Sequence, residues 1–159
     1  MPITKIARRD LMTGISALAI LGHPRSGWAD SLPPVTVSKD PTCGCCNGWV
    51  EHLRDAGFRV NVMDTPQINL VKKHYGVPDD LASCHTAEVA GYVVEGHVPV
   101  AEVKRLLAER PQAKGLAVAG MPMGSPGMEM NGMADPYEVI LFGPSGRRTF
   151  ARYKGGQAI

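Results

Sequence analysis

Hydrophobic and polar positions change period several times along this chain. Val35-Thr36-Val37-Ser38 is short and rich in β-branched residues, the mark of a strand. Behind it Trp49, Val50, Leu53 and Ala56 recur at helical spacing, and Gly57 stops the helix. Phe58 to Met63 alternates apolar with polar, which predicts a second strand. Ile68 to Tyr75 predicts a second, weaker helix that ends at Gly76, with Pro78 beyond. Glu88 to Gly96 predicts a strand pair or one bent strand. Pro99 then opens a helix that carries Val100, Val103, Leu106 and Leu107 on one side and is closed by Pro111. Strands and helices in alternation define an α/β domain.

The texture changes after residue 114. Leu116 to Ala119 predicts a short strand, and Gly120 to Pro136 is a loop dense in Met, Gly and Pro. Val139 to Phe142 and Thr149 to Tyr153, joined through Gly143-Pro144-Ser145-Gly146, predict a terminal β-hairpin. No internal repeat is present.

The N-terminus reads as an address. Lys5, Arg8 and Arg9 precede the apolar stretch Leu11 to Gly22, and Gly27-Trp28-Ala29 supplies small residues at the two positions a signal peptidase reads. Arg8-Arg9-Asp10-Leu11-Met12 resembles a twin-arginine export signal; a general secretion signal that carries two arginines is the plainer alternative. The stretch is too short for a membrane anchor. Residues 1–29 are therefore expected to be an export signal, and residues 30–159 a single mature domain working in the bacterial periplasm. About 130 residues suffice for one core.

Removing that segment changes the charge. The chain has 17 Lys+Arg and 15 Asp+Glu; four of the basic residues (Lys5, Arg8, Arg9, Arg25) and one acid (Asp10) lie in residues 1–29. The remainder has 13 basic and 14 acidic residues, a net of −1. No basic surface for nucleic acid is implied.

The chemistry is in the cysteines. Cys43, Cys45 and Cys46 crowd into four positions between the first strand and the first helix, and Cys84-His85 follows some forty residues on. An oxidising compartment favours two structural bridges, Cys43–Cys84 or Cys46–Cys84 among them, but two ordinary bridges need no such crowding. Cys45 and Cys46 bridge each other only in a strained ring. Crowded thiolates suit a soft metal, copper(I) above all. Zinc suits less well, because its structural sites usually spread cysteines as two separated pairs. Five thioethers, Met121, Met123, Met128, Met130 and Met133, fall within thirteen residues of a Gly/Pro-rich loop that is a poor place for core. Thioethers are soft, uncharged and independent of pH, which makes Met121, Met123 and Met128 candidate ligands. His52 reads as an exposed helix residue, and His74 and His97 as surface or loop residues without a metal-spaced partner. Neither a Ser-His-Asp arrangement nor a phosphate loop is present.

A thiol motif between a first strand and a first helix resembles the thioredoxin fold. Cys84-His85-Thr86, the strand through Val94, and the helix from Pro99 resemble the second half of a glutaredoxin. On that likeness Cys84 and His85 lie beside the first cluster, and the whole is a thioredoxin/glutaredoxin-like domain with a C-terminal Met-rich loop and β-hairpin extension. Cys43-Gly44-Cys45-Cys46, Cys84-His85 and the run Gly120 to Met128 together resemble the CopG-type periplasmic copper-resistance proteins, long catalogued as a domain of unknown function. The likeness runs from about Val35 to Tyr153 and shows no departure at these positions. It implies copper binding by Cys43, Cys45, Cys46, Cys84 and His85, with a redox role attached and other periplasmic copper-handling proteins as partners. The alternative is a thioredoxin-type thiol–disulfide oxidoreductase. There Cys43, made acidic by the helix N-terminus, attacks and Cys46 resolves.

Overall fold

The computed structural model describes residues 32–130 and 132–159; the expected export signal lies outside them. The elements are β1 (Val35–Lys39), α1 (Gly44–Asp55), β2 (Val60–Asp64), α2 (Ile68–Tyr75), a 3₁₀ turn (Asp79–Leu81), β3 (His85–Val89), β4 (Tyr92–Glu95), α3 (Val100–Glu109), β5 (Gly115–Ala117), β6 (Pro136–Gly143), β7 (Gly146–Lys154) and β8 (Gln157–Ala158). One sheet holds all eight strands in the order β2-β1-β3-β4-β5-β6-β7-β8. β1 runs parallel to β2 and β4 parallel to β5; the other pairs are antiparallel.

Successive residues of a strand face opposite sides, and the core divides accordingly. Val94, Leu116 and Leu141 join Trp49, Val50 and Leu53 of α1 and Val103 and Leu106 of α3 in the larger cluster. Val93, Ala117 and Phe142, one residue away in each strand, join Val77 and Leu81 in a smaller cluster, against which Tyr75 at the end of α2 packs. Trp49 is fully buried and its indole N–H donates to the Val98 carbonyl at 2.9 Å, so the ring needs no water.

The segment read as a strand pair or one bent strand is a hairpin. Ala90 and Gly91 form its two-residue turn with φ of 49° and 83°, the left-handed pair that matches the twist of the flanking strands. Some features depart from the sequence expectation: α1 begins at Gly44, so Cys45 and Cys46 lie inside the helix and not ahead of it. The second strand starts at Val60 and is an exposed edge after its first residue, while Phe58 just before it is buried. β8 pairs with the end of β7 and carried no periodic signal, being two exposed residues long. No helix among the described residues is long and apolar enough to cross a membrane.

Candidate metal centre

The turn into α1 is built by Asp40. Its carboxylate accepts from the Thr42 amide at 2.8 Å and the Thr42 hydroxyl at 2.6 Å, and its carbonyl accepts from the Cys43 amide at 3.0 Å. The Thr42 bonds hold the Asp40 carboxyl below its ordinary value. Cys43 is the residue that caps α1, with extended backbone; Cys45 and Cys46 lie in the first turn. Cys46 is buried, and Cys43 and Cys45 are half-buried. Cys43 and Cys46 are joined as a disulfide, while Cys45 and Cys84 are free thiols. The bridge therefore closes within the first cluster, and Cys84 takes no part in it. That excludes the Cys43–Cys84 and Cys46–Cys84 bridges as the pairing in this structure.

Cys84 enters from the loop before β3. Its Sγ lies 3.9 Å from Cys45 Sγ, and Cys45 Sγ is 3.5 Å from Cys43 Sγ. The four cysteines present ligand atoms within 4.8 Å of one another, and so do Cys84, His85 and His97. Cys84 belongs to both groups.

His97 corrects the sequence reading. It lies in a loop as expected, but it is fully buried, and its Nε2 is 3.1 Å from Cys84 Sγ. The reason is the β3–β4 hairpin. Thr86 pairs with Glu95, so extending that register by two residues sets His97 opposite Cys84. A two-residue turn at Ala90-Gly91 was the signal that could have revealed it.

Hydrogen bonding assigns the imidazole protons. A carbonyl can only accept, so His97 Nδ1–H donates to the Pro126 carbonyl at 2.8 Å. His97 Nε2 is then a bare lone pair facing Cys84 Sγ, the tautomer lock typical of ligating histidines. Cys84 donates its S–H there, and His85 Nδ1–H, 3.3 Å away, donates to the sulfur. His85 Nε2 is left buried with no partner among the described residues. An orphaned buried polar atom costs about 1–3 kcal/mol, and a bound ion would relieve it. The His85 ring is held between Trp49 (centroids 4.4 Å apart) and the edge of His97 (5.1 Å).

Burial shifts the titrations toward neutral forms. It pushes the Cys84 thiol up to about 12, with Cys45 beside it adding to the effect. Burial holds His85 well below the ordinary histidine value, helped by His97 and Lys72, and lowers His97 too. Both imidazoles are thus uncharged at neutral pH, each with a proton on Nδ1 and a bare Nε2. In the unfolded chain each takes a proton near the ordinary 6.5. Because the folded-state values are depressed, the stabilising contribution is present above 6.5 and is lost as pH falls below it. Melting of the metal-free protein is expected to drop between pH 7 and 5, by up to about 1.4 kcal/mol per pH unit for each histidine. A His85→Asn, His97→Gln double variant should flatten that dependence. A wild-type melting curve indifferent to pH in this range would show that neither histidine is perturbed.

The methionine loop reaches the centre through its backbone. Gly127 lies so close to α1 that a Cβ on Gly48 would sit 2.9 Å from Gly127 Cα, and one on Gly127 2.6 Å from the Cys45 carbonyl. Only paired glycines allow this approach. With the Pro126–His97 bond, it fastens the loop against both the cysteine cluster and the Cys-His-His group. Met123 and Met128 are half-buried there, whereas Met121 is exposed. His52 is exposed as expected and pairs with Glu129 of the same loop at 2.6 Å; His74 is exposed on α2.

No pattern in the sequence marks the buried carboxylate behind the site. Glu95 is fully buried and accepts from Lys72 Nζ (2.5 Å), the Ser83 amide (2.7 Å) and the Thr86 hydroxyl (2.6 Å). Ser83 and Thr86 flank Cys84-His85, so this carboxylate fixes both ends of that segment.

Comparison with known proteins gives one consistent result. A solved structure described as copper resistance protein CopG, form 2, is 41% identical, with 77% of this chain and 98% of that chain covered and a TM-score of 0.74. Form 1 of the same protein is 42% identical over 78% and 99% of the two chains, with a TM-score of 0.73. A family described as "protein of unknown function, DUF411" matches residues 81–128, from the 3₁₀ turn before Cys84 to Met128. No curated protein matches the chain.

Proposed function

Because this chain belongs to the family of the copper-resistance protein CopG, we propose that it takes up copper as Cu(I) in the periplasm, on Cys43, Cys45, Cys46, Cys84, His85 and His97. The observation that carries this reading is the meeting, at Cys84, of a four-sulfur group with a Cys-His-His group whose two imidazoles are uncharged. Thiolates suit Cu(I), and imidazole suits copper in either oxidation state. Residues 1–29 act as the export signal and residues 30–159 as the mature domain. The order β2-β1-β3-β4, with the thiols at the start of α1 behind β1, supports a thioredoxin-like first part. β5 to β8 and the methionine loop form its extension, and the half-buried Met123 and Met128 of that loop assist in holding copper.

The Cys43–Cys46 bridge favours a second, linked reading. A disulfide cannot act as a thiolate ligand, so filling the four-sulfur group requires its reduction. Reduction consumes two electrons and two protons and yields two thiols; oxidation of two Cu(I) to two Cu(II) supplies those two electrons. In the reverse direction the dithiol reduces two Cu(II). Exchange with protein disulfides uses the same pair, with Cys43 attacking.

The test is an anaerobic Cu(I) titration of the reduced chain against a competing chelator, beside the disulfide form and a variant with all four cysteines changed to serine. The reduced chain is expected to bind more than one copper tightly, the disulfide form fewer, and the variant none tightly. If the reduced chain cannot outcompete a modest chelator, copper uptake is wrong, and reduction of insulin becomes the relevant assay.

A further inference from the structure

Three large thioether side chains stand in water: Met121, Met130 and Met133 are 53%, 51% and 53% exposed. Burying such a side chain is worth about 1.5–3 kcal/mol, so packing does not account for three exposed within thirteen residues. Two of them are held as a pair. Met130 and Met133 form an antiparallel bridge, and the Met133 amide donates to the Met130 carbonyl at 2.8 Å. Residues directly opposite on such a turn project to the same side, with Cβ atoms about 4.5–5.5 Å apart. Both line one open cleft of about 530 Å³, together with Gly124, Glu129 and Ile159.

The geometry points to a second metal site: we propose that Met130 and Met133 hold one soft monovalent cation, Cu(I) or Ag(I), between their thioether sulfurs. Two neutral soft donors on one side of a short turn match a d¹⁰ ion of low coordination number and offer little to hard cations such as Mg²⁺ or Ca²⁺. The Glu129 carboxylate on the same cleft adds negative potential, while its own oxygens are engaged by His52 and the Gly127 amide. The turn is the outer end of a segment whose inner residues, Pro126 and Gly127, touch His97 and the Cys45 backbone. An ion captured at the turn is thus held on the same loop that closes over the cysteine–histidine centre, and the site serves to load it. The loading role rests on the copper-uptake reading; the existence of the thioether site does not.

Ag(I) is a suitable probe, being redox-inert and similarly soft. In the Cys45→Ser, Cys84→Ser variant, with Cys43–Cys46 bridged, no free thiol competes. The ¹³C-methyl resonances of Met130 and Met133 are expected to shift together as Ag(I) is added. Met130→Leu should abolish the shift at Met133 as well, because one ion needs both sulfurs. If that variant does not fold, the wild-type chain serves, with Ag(I) added beyond saturation of its thiols. Methyl resonances that stay put at millimolar Ag(I), or a Met133 shift that survives Met130→Leu, would overturn the site. A Met130→Leu, Met133→Leu chain should keep the Cu(I) stoichiometry of its cysteines but load several-fold more slowly; unchanged loading overturns the loading role alone. Failure of the wild-type cysteines to bind Cu(I) would instead count against the function proposed above.

Discussion

Glu95→Ala is expected to cost about 3–5 kcal/mol of stability and to lower the melting temperature by roughly 10–20 °C. The carboxylate is fully buried and Lys72 nearly so. Compared with a well-packed apolar pair, a buried ion pair is often no gain, because both charges were taken out of water. Removing one partner is different. It leaves the Lys72 ammonium buried without its counter-charge, and strips the Ser83 amide and Thr86 hydroxyl of the acceptor each has now. A Lys72→Met, Glu95→Leu double variant should recover much of the loss, since neither charge is stranded. Chemical denaturation of the three proteins measures this directly. A single-variant loss below about 1 kcal/mol would mean that water reaches the pair and that the network does not fix the Cys84 segment.

Cys84→Ser should have the largest effect on copper. The thiol is the one side chain common to the four-sulfur group and the Cys-His-His group, and its sulfur lies within 4 Å of Cys45, His85 and His97. Loss of a partner that merely orients a ligand typically costs 10–100-fold in metal affinity. Loss of the shared thiolate should exceed 100-fold, or about 2.7 kcal/mol. Serine is nearly the same size, so melting of the metal-free protein should change little. His97→Gln is the informative companion: a clear drop in affinity would mark it as a ligand, and a change in melting alone would make it packing. A Cys84→Ser chain that holds copper within tenfold of wild type would exclude Cys84 as the pivot of the centre.

Much of the fold was legible because its signals are local. Helix α2 ends at Tyr75 where Gly76 and Pro78 said it would, and α1 and α3 follow their apolar faces closely. The thiol cluster was legible for the same reason: three cysteines in four residues need no tertiary fold to be close. The methionines were only half legible. Their density announced a loop that is not core, yet spacing could not say which thioethers turn inward. In the structure Met123 and Met128 are half-buried while Met121, Met130 and Met133 face solvent.

What the sequence determined by itself is therefore most of the order of strands and helices, though not β8 or the choice between a hairpin and a bent strand at β3–β4, together with the placing of the thiols at the start of α1 and the likeness to the copper-resistance family. Tertiary structure decided the rest. His97 sits thirteen residues from Cys84, and only the Ala90-Gly91 turn, by setting the hairpin register, puts the two face to face. Glu95 ends an alternating strand where a charge ordinarily meets water. It is buried because Lys72 of α2 covers that side of the sheet and supplies the opposite charge. The Pro126 carbonyl selects the His97 tautomer from twenty-nine residues away. Periodicity records which side of an element is apolar, but a ligand set depends on distances between elements, and those exist only once the sheet has closed.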